Sequence, residues 1–366
     1  MKKSTLFFLM LVITYVFYGL GLLFPQWLTT YYTQTINKLY IQFLSLCTGV
    51  LPFSLFEICV YLLVMVVLGY ILYRFIHLFT GANSWKKQLQ ATLIHMFYLV
   101  FSLLMIFLWS WGFNYHRLPL AKTIGLSTST YTTEDLGKLY MCLIDSANTL
   151  RESVEEDAAG YMAISGGYRD VFRRSQVAYT TLAKKYPFFS GHYGPPKAIM
   201  ASSWMNYTGI TGIYSPFTAE ANVNVAILDQ ALPYTTLHEM AHQRGFASED
   251  ECNFIAFLAC SLHPDKDFQY SGYLLALAYT NATLSKSDPV LLSTLNQKIS
   301  PKVRADLLHS NTFWRNYEGP LEEMSSKVND TYLKANGIPE GEQSYGEMVD
   351  LLLSYYTQYP NAFLLH

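Results

Sequence analysis

Apolar positions crowd the first third of the chain and only later fall into the spacings of a water-soluble fold. Before Asn114, charged residues are scarce. Residues 6–24, LFFLMLVITYVFYGLGLLF, carry no charge and are about long enough to cross the hydrocarbon core of a bilayer. A secretory signal has a shorter apolar run and a small-residue cleavage site, whereas Pro25, Gln26 and Trp27 follow here, so the pattern predicts a retained helix. A second span is expected at residues 51–73, centred on ICVYLLVMVVLGYIL, with Glu57 near its outer end in reach of headgroup water. A third is expected at 93–113, where Trp109 and Trp111 suit a membrane interface. Residues 1–115 thus read as a membrane domain of three transmembrane α-helices, and burial of all three in a soluble core is the weaker alternative.

Beyond Asn114 the period changes. Leu136, Leu139, Tyr140, Leu143 and Ala147 line one side of a helix over 133–156, and 169–185 reads as another, stopped by Tyr186 and Pro187. KAIMAS, GIYSPF and EANVNVAI look like short strands. Pro233 opens a helix that should stop at Arg244, because Gly245 suits the left-handed position beyond a helix end. A following helix starts near Ser248, with Glu251 as the expected capping-box partner. The rest is mostly helical to about Tyr359, broken at Asp288 and Pro289 and around Gly337. Residues 116–366 therefore read as a helix-dominated α+β domain.

Composition agrees with this division. Of 366 residues, 51% are hydrophobic and 14% charged, against about 25% charged in a typical soluble domain. A net charge of -2 without a basic stripe gives no case for nucleic acid. Five cysteines form no legible disulfide framework, since Cys252 and Cys260 sit about 12 Å apart on one helix. Lysine and arginine set the expected orientation. Lys2 and Lys3 precede the first span, Arg74, Lys86 and Lys87 separate the second from the third, and only Lys38 lies between the first two. Positive residues stay inside, so the N-terminus should be cytoplasmic and the C-terminal domain extracytoplasmic. Arg117 and Lys122, just past the third span, weigh against this.

The stretch HEMAHQRGFASEDECN, residues 238–253, carries the chemistry. His238 and His242 are four apart and share a helix face, so both imidazoles can reach one metal ion. Zn2+ accepts imidazole nitrogen and carboxylate oxygen, and a catalytic site leaves one position for water. Glu239, rotated about 100° from His238, is free to take a proton from that water. This is the logic of the HExxH metalloprotease motif. The alternative is a surface helix whose histidines face water. For the third ligand, Glu249 shares a face with Asn253, which would support it from behind. Glu251 is the alternative, and Asp250 points elsewhere.

HEMAHQRGFASEDECNFIAFLAC resembles the core of a bacterial family of membrane-anchored, zinc-peptidase-like proteins, designated domain of unknown function 3810. The likeness extends to GIYSPFTAEANVN, NYHRLPL, VNDTYLKANG and SYGEMVDLLL, and so over nearly the whole chain. It implies a gluzincin-like, zincin-type fold with metal ligands at His238, His242 and the Glu249 region, and a base at Glu239. EDECN is also similar to a glutamate-x-x-alanine-asparagine or -aspartate signature of other such peptidases, in which the first glutamate binds metal. Cys252 stands where alanine is usual.

The expected function is a zinc-dependent metallopeptidase, anchored in a lipid bilayer and hydrolysing a peptide or protein substrate outside the cytoplasm. A non-catalytic sensory or binding module with a zinc site is the alternative. An intramembrane protease is disfavoured, because Arg244, Glu249, Asp250 and Glu251 crowd the motif. In folds of this kind an edge strand beside the metal pairs with extended substrate; GIYSPFTAEANVNV is placed to supply it, and Glu220 in it is a candidate substrate contact. Tyr270 and Tyr345 are candidates for stabilising an oxyanion, though packing is the commoner role of a tyrosine. His192, His263 and His309 are expected to play ordinary surface roles.

Overall fold

The structure is a computed structural model and describes residues 3–80, 85–127, 131–336 and 347–363. Helix α1 (Lys3–Leu23) stops at Phe24, whose φ of -131° and ψ of 64° leave the helical region. Pro25 is the cause, because its ring disfavours helical geometry in the residue before it while suiting the first position of a new helix. The chain then continues as a π-helical stretch, Leu28–Asn37, into α2 (Lys38–Gly49). The axes of Phe7–Leu23 and Pro25–Gly49 are bent by 107°. Helices α3 (Leu55–Thr80) and α4 (Trp85–Ser110) follow.

Among the described residues, two helices are long and apolar enough to cross a membrane: Leu55–His77, within α3, and α4. They become three if the bent pair is one broken span. Helix α1 lies along α4, with Phe7 and Phe101 rings 4.0 Å apart and Trp109 Nε1 donating to Thr14 Oγ1 at 2.9 Å. The outward faces of these helices expose Val64, Leu68, Ile71 and Ile106. Such a continuous apolar surface is costly in water and well solvated by lipid.

The rest builds one helical core. Helix α5 (Thr133–Arg151) starts at a capping box in which Thr132 and Asp135 satisfy each other's backbone amides. It packs on α9 (Lys266–Ser287), and α9 in turn on α7 (Leu232–His242) and α8 (Glu249–Ser261). Helices α6 (Gly167–Lys185) and α13 (Glu347–Gln358) close the sides. Leu143, Leu237, Phe254 and Phe257 are buried at its centre. The helices α10 (Pro289–Asn296), α11 (Pro301–Arg315) and α12 (Pro320–Ala335) each begin with proline.

A three-stranded sheet, in the order β1-β3-β2, supports α7. Strand β1 (Lys197–Ala198) runs parallel to β3 (Glu220–Val223), and β2 (Gly212–Ser215) runs antiparallel to it, from Gly212 opposite Val223 to Ser215 opposite Glu220. All three are shorter than the sequence pattern suggests. Strand β1 ends early because the Met200 and Ala201 amides donate to the Glu57 carboxylate instead of a ladder.

That bond belongs to a seam that crosses the expected boundary at residue 115. Lys38 Nζ donates to the Phe188 carbonyl at 3.0 Å, and Thr48 Oγ1 to that of Thr218 at 3.0 Å. Ser54 Oγ donates to Asn222 Oδ1 at 2.6 Å. Residues 28–57 are therefore a helical shelf under the sheet and not a plain connecting loop. Glu57 does not reach for headgroup water. It is buried on the domain.

Candidate metal centre

Pro233 in the first turn of α7 costs no hydrogen bond, and the helix carries His238, Glu239 and His242 at its far end. The helix ends at His242, two residues before the expected stop, and Gly245 takes a φ of 82°, where a β-carbon would be strained. This turn brings α8 back alongside α7, with Glu249 in its first turn.

Nε2 of His242 lies 3.1 Å from Nε2 of His238. The Glu249 carboxylate reaches both rings, with Oε2 3.1 Å from His238 Nε2 and Oε1 3.5 Å from His242 Nε2. A zinc ion with ligands at about 2.0–2.1 Å in tetrahedral geometry separates them by about 3.3 Å. The three donors thus stand at the edge lengths of such a site. Among the described residues, they form the one group of histidine, cysteine or acidic side chains able to hold a metal ion. The Nδ1 of His242 sits 2.7 Å from the Phe246 carbonyl. Donation there fixes the tautomer and leaves the Nε2 lone pair facing the other donors. Burial raises the Glu249 pKa, but the two imidazoles outweigh it and hold the carboxyl below the ordinary range. Burial lifts the thiol of Cys252, behind His242, to about 11, so it stays protonated.

Glu239 is 4% exposed, and burial pushes its carboxyl up to about 7 against the pull of His238 and His242. The Tyr214 amide donates to this carboxylate, while Oε2 has no partner. Strand β2 presses on it. A β-carbon at Gly212 would lie 2.3 Å from Glu239 Oε1, so only glycine fits there. Strand β2, at the edge of the sheet, thus borders Glu239.

Other candidates lie elsewhere. Glu251 is not a ligand and not a capping partner. It accepts the Leu120 amide and faces the buried guanidinium of Arg117, while Ser248 makes no side-chain cap. Asn253 donates to the Tyr279 hydroxyl at 2.9 Å instead of supporting Glu249. Glu220 is buried, with its carboxylate accepting the Leu55 and Phe56 amides at 3.1 and 2.8 Å. It supplies a negative charge to the open amides at the start of α3 and has no surface for substrate. Tyr270 is fully buried in the core, donating to Asp306, which also binds Arg151. Tyr345 and Gly337 lie outside the described residues. His192 is exposed and His309 stacks on Tyr161, but His263 is buried against Phe268 with ring centroids 3.9 Å apart, contrary to its expected surface role.

Trp111, expected at a membrane interface, is instead buried beside the cluster, and Tyr115 and Tyr332 carry no signal in the local sequence pattern. The Trp111 ring lies 5.9 Å from His242 and 4.7 Å from Tyr214. Tyr115 donates to the Tyr332 hydroxyl at 2.9 Å. Burial raises the Tyr332 pKa, and both His242 and Glu249 act on it through space, so the phenol keeps its proton. Tyr115 and Tyr332 fall in NYHRLPL and VNDTYLKANG, two of the segments that carry the resemblance. In the first of these, Arg117 donates to the Gly245 carbonyl at 2.8 Å and stacks on Phe246, which ties the domain-side end of α4 to the turn after the motif.

No curated protein and no solved structure matches this chain. A family described as a protein of unknown function, DUF3810, matches residues 32–353, and the chain belongs to that family.

Proposed function

We propose that this chain is a membrane-anchored, zinc-dependent metallopeptidase that hydrolyses peptide bonds outside the cytoplasm. The observation that carries it is the triangle of donors on His238, His242 and Glu249 with an unpartnered carboxylate oxygen of Glu239 beside it. These residues fit zinc in donor type and spacing, and they stand on two helices joined by a tight turn, which supports the reading of a zincin-type site. Zinc held there would supply a Lewis acid and lower the pKa of water at the site. Glu239, with a pKa near 7, holds the proton removed from the attacking water and returns it to the leaving amine. The Tyr332 phenol, its oxygen already accepting from Tyr115 and within electrostatic reach of His242 and Glu249, is the kind of donor that stabilises a developing oxyanion. A purely structural metal would not need a buried base with a free oxygen, which favours hydrolysis over a sensory module.

The extracytoplasmic placement gains support from two cations that are withdrawn from the membrane-flanking count. Arg117 is buried under Gly245, and Lys38 is bound to Phe188. Arg74, Lys86 and Lys87, between the second and third spans, then favour that end of α3 and α4 as the cytoplasmic side, with Lys122 left as the one counted cation against it.

The test is metal content and cleavage of an unfolded protein by the purified full chain. The parent should hold about one zinc per chain and cleave. Glu239→Gln should keep the metal and lose cleavage. Equal cleavage by that variant would remove the proposed mechanism.

A further inference from the structure

Helix α12 is amphipathic in the inverted sense. Its inward face consists of Glu322, Ser325, Ser326 and Asn329, with Leu333 alone as a buried apolar contact. Its outward face carries Leu321, Met324, Val328 and Tyr332, spaced as one stripe along the helix. Met324 is 58% and Val328 64% exposed, and among the described residues nothing covers them. A solvated helix on a water-soluble protein places these residues the other way round.

The position of α12 says what covers the stripe. Its C-terminal end touches α4, with the Tyr332 ring 6.3 Å from Phe107, near the domain-side end of that helix. Its N-terminal end lies against the turn Asn206–Thr208, with Glu322 beside Gly209. That turn follows Ser202–Met205, and the amides just before it, of Met200 and Ala201, are held by Glu57 in the first turn of α3. Helix α12 is thus tied at both ends to the points where two membrane-spanning candidates meet the domain. Met200 and Trp204 stand in the same region, Trp204 78% exposed, and Tyr207 is exposed beside them. Tryptophan and tyrosine are the side chains that favour the headgroup layer. Lys327, Asp330 and Lys334 fall on a flank of α12 away from the stripe, where they can remain in water.

We propose that α12, with Met200 and Trp204, lies in the bilayer interface, its apolar stripe immersed in lipid. The occupant of this surface is the membrane in which α3 and α4 sit. Because Tyr332 ends the stripe against Phe107 of α4, and Trp111 just beyond that helix lies 5.9 Å from His242, the candidate metal centre is held near headgroup level. The peptides within its reach are then membrane-proximal segments. The placement of α12 rests on α3 and α4 crossing a bilayer and not on hydrolysis, whereas the restriction to membrane-proximal peptides rests on the proposed peptidase reading.

The experiment uses the full chain in vesicles of phosphatidylethanolamine and phosphatidylglycerol. Cys47, Cys59 and Cys142 are replaced by alanine, while Cys252 and Cys260 are buried and stay. A single cysteine carrying a nitrobenzoxadiazole fluorophore is placed at Met324, Val328 or Trp204. References are Lys327, on the other flank of α12, and Val290, exposed on α10. Lipids bearing a doxyl quencher near the headgroup should quench the first three at least about threefold more than the references. Equal quenching at all five positions would overturn the proposal. So would a blue-shifted but unquenched label at Met324, which would assign the stripe to a protein partner or a second copy of the chain. Vesicle flotation of each labelled protein reports insertion of the spans separately, and cleavage of an unfolded protein reports the peptidase reading separately.

Discussion

Glu239→Gln should make the metal-free protein more stable, and increasingly so as pH rises. In the folded chain, burial lifts the Glu239 carboxyl from an ordinary 4.5 to about 7. A folded-state pKa raised in this way means that the stability tied to the group is fully present below 4.5 and lost as pH rises through 7. Ionising the buried carboxylate then costs about 1 kcal/mol at pH 5 and about 3 kcal/mol at pH 8.5. Glutamine has nearly the same shape and no charge, so it escapes this cost. With roughly 2–4 °C per kcal/mol for a domain of this size, the advantage in Tm should grow by about 5–10 °C between these pH values. The assay is thermal unfolding of the chelator-treated parent and variant at several pH values, followed by intrinsic fluorescence. Repeating it with zinc should shrink the difference, because a nearby cation stabilises the carboxylate. A difference that stays constant from pH 5 to 8.5, or reverses sign, would refute burial as its source.

Glu249→Ala should abolish zinc retention through dialysis, whereas Glu251→Ala should keep about one zinc per chain, as metal analysis would show. Gly212→Ala should displace the Glu239 carboxylate by about 1 Å, lowering turnover of an unfolded-protein substrate roughly 100-fold with the zinc content unchanged. Glu220→Ala should strip the buried start of α3 of its acceptor, lowering stability by about 1–3 kcal/mol in thermal unfolding and leaving the metal in place. Arg117→Met should leave the half-buried Glu251 without its cation and the Gly245 carbonyl without its donor, costing about 1–3 kcal/mol by the same assay.

Local rules were enough wherever partners are close along the chain. His238 and His242 meet because four residues complete about one helical turn, and Glu249 joins them because Gly245 reverses the backbone within a few residues. The apolar runs within α3 and α4 were legible because a bilayer demands length and lack of charge, which composition records directly. The bend at Pro25 was present as a residue but not as an angle. Proline forbids continuation of α1, while the direction of the chain beyond it depends on the shelf that residues 28–57 form under the sheet.

Carboxylates exposed the limit of local reading. Glu251 has the spacing of a capping partner and Glu220 that of a strand-end acid, yet each serves a backbone amide far away in the chain: Leu120 for Glu251, Leu55 and Phe56 for Glu220. Tyr115 and Tyr332 come within electrostatic reach of Glu249 from distant segments, and nothing in their own neighbourhoods predicts it. The sequence by itself determined the apolar helices and the pairing of the motif's two histidines, since helical period and residue type act over one or two turns. Only the tertiary structure decided that Glu251 is engaged elsewhere and leaves Glu249 to close the triangle of donors, which distant aromatic residues pack near it, and that α12 turns its apolar stripe outward. Burial and long-range hydrogen bonding select among groups that are locally equivalent.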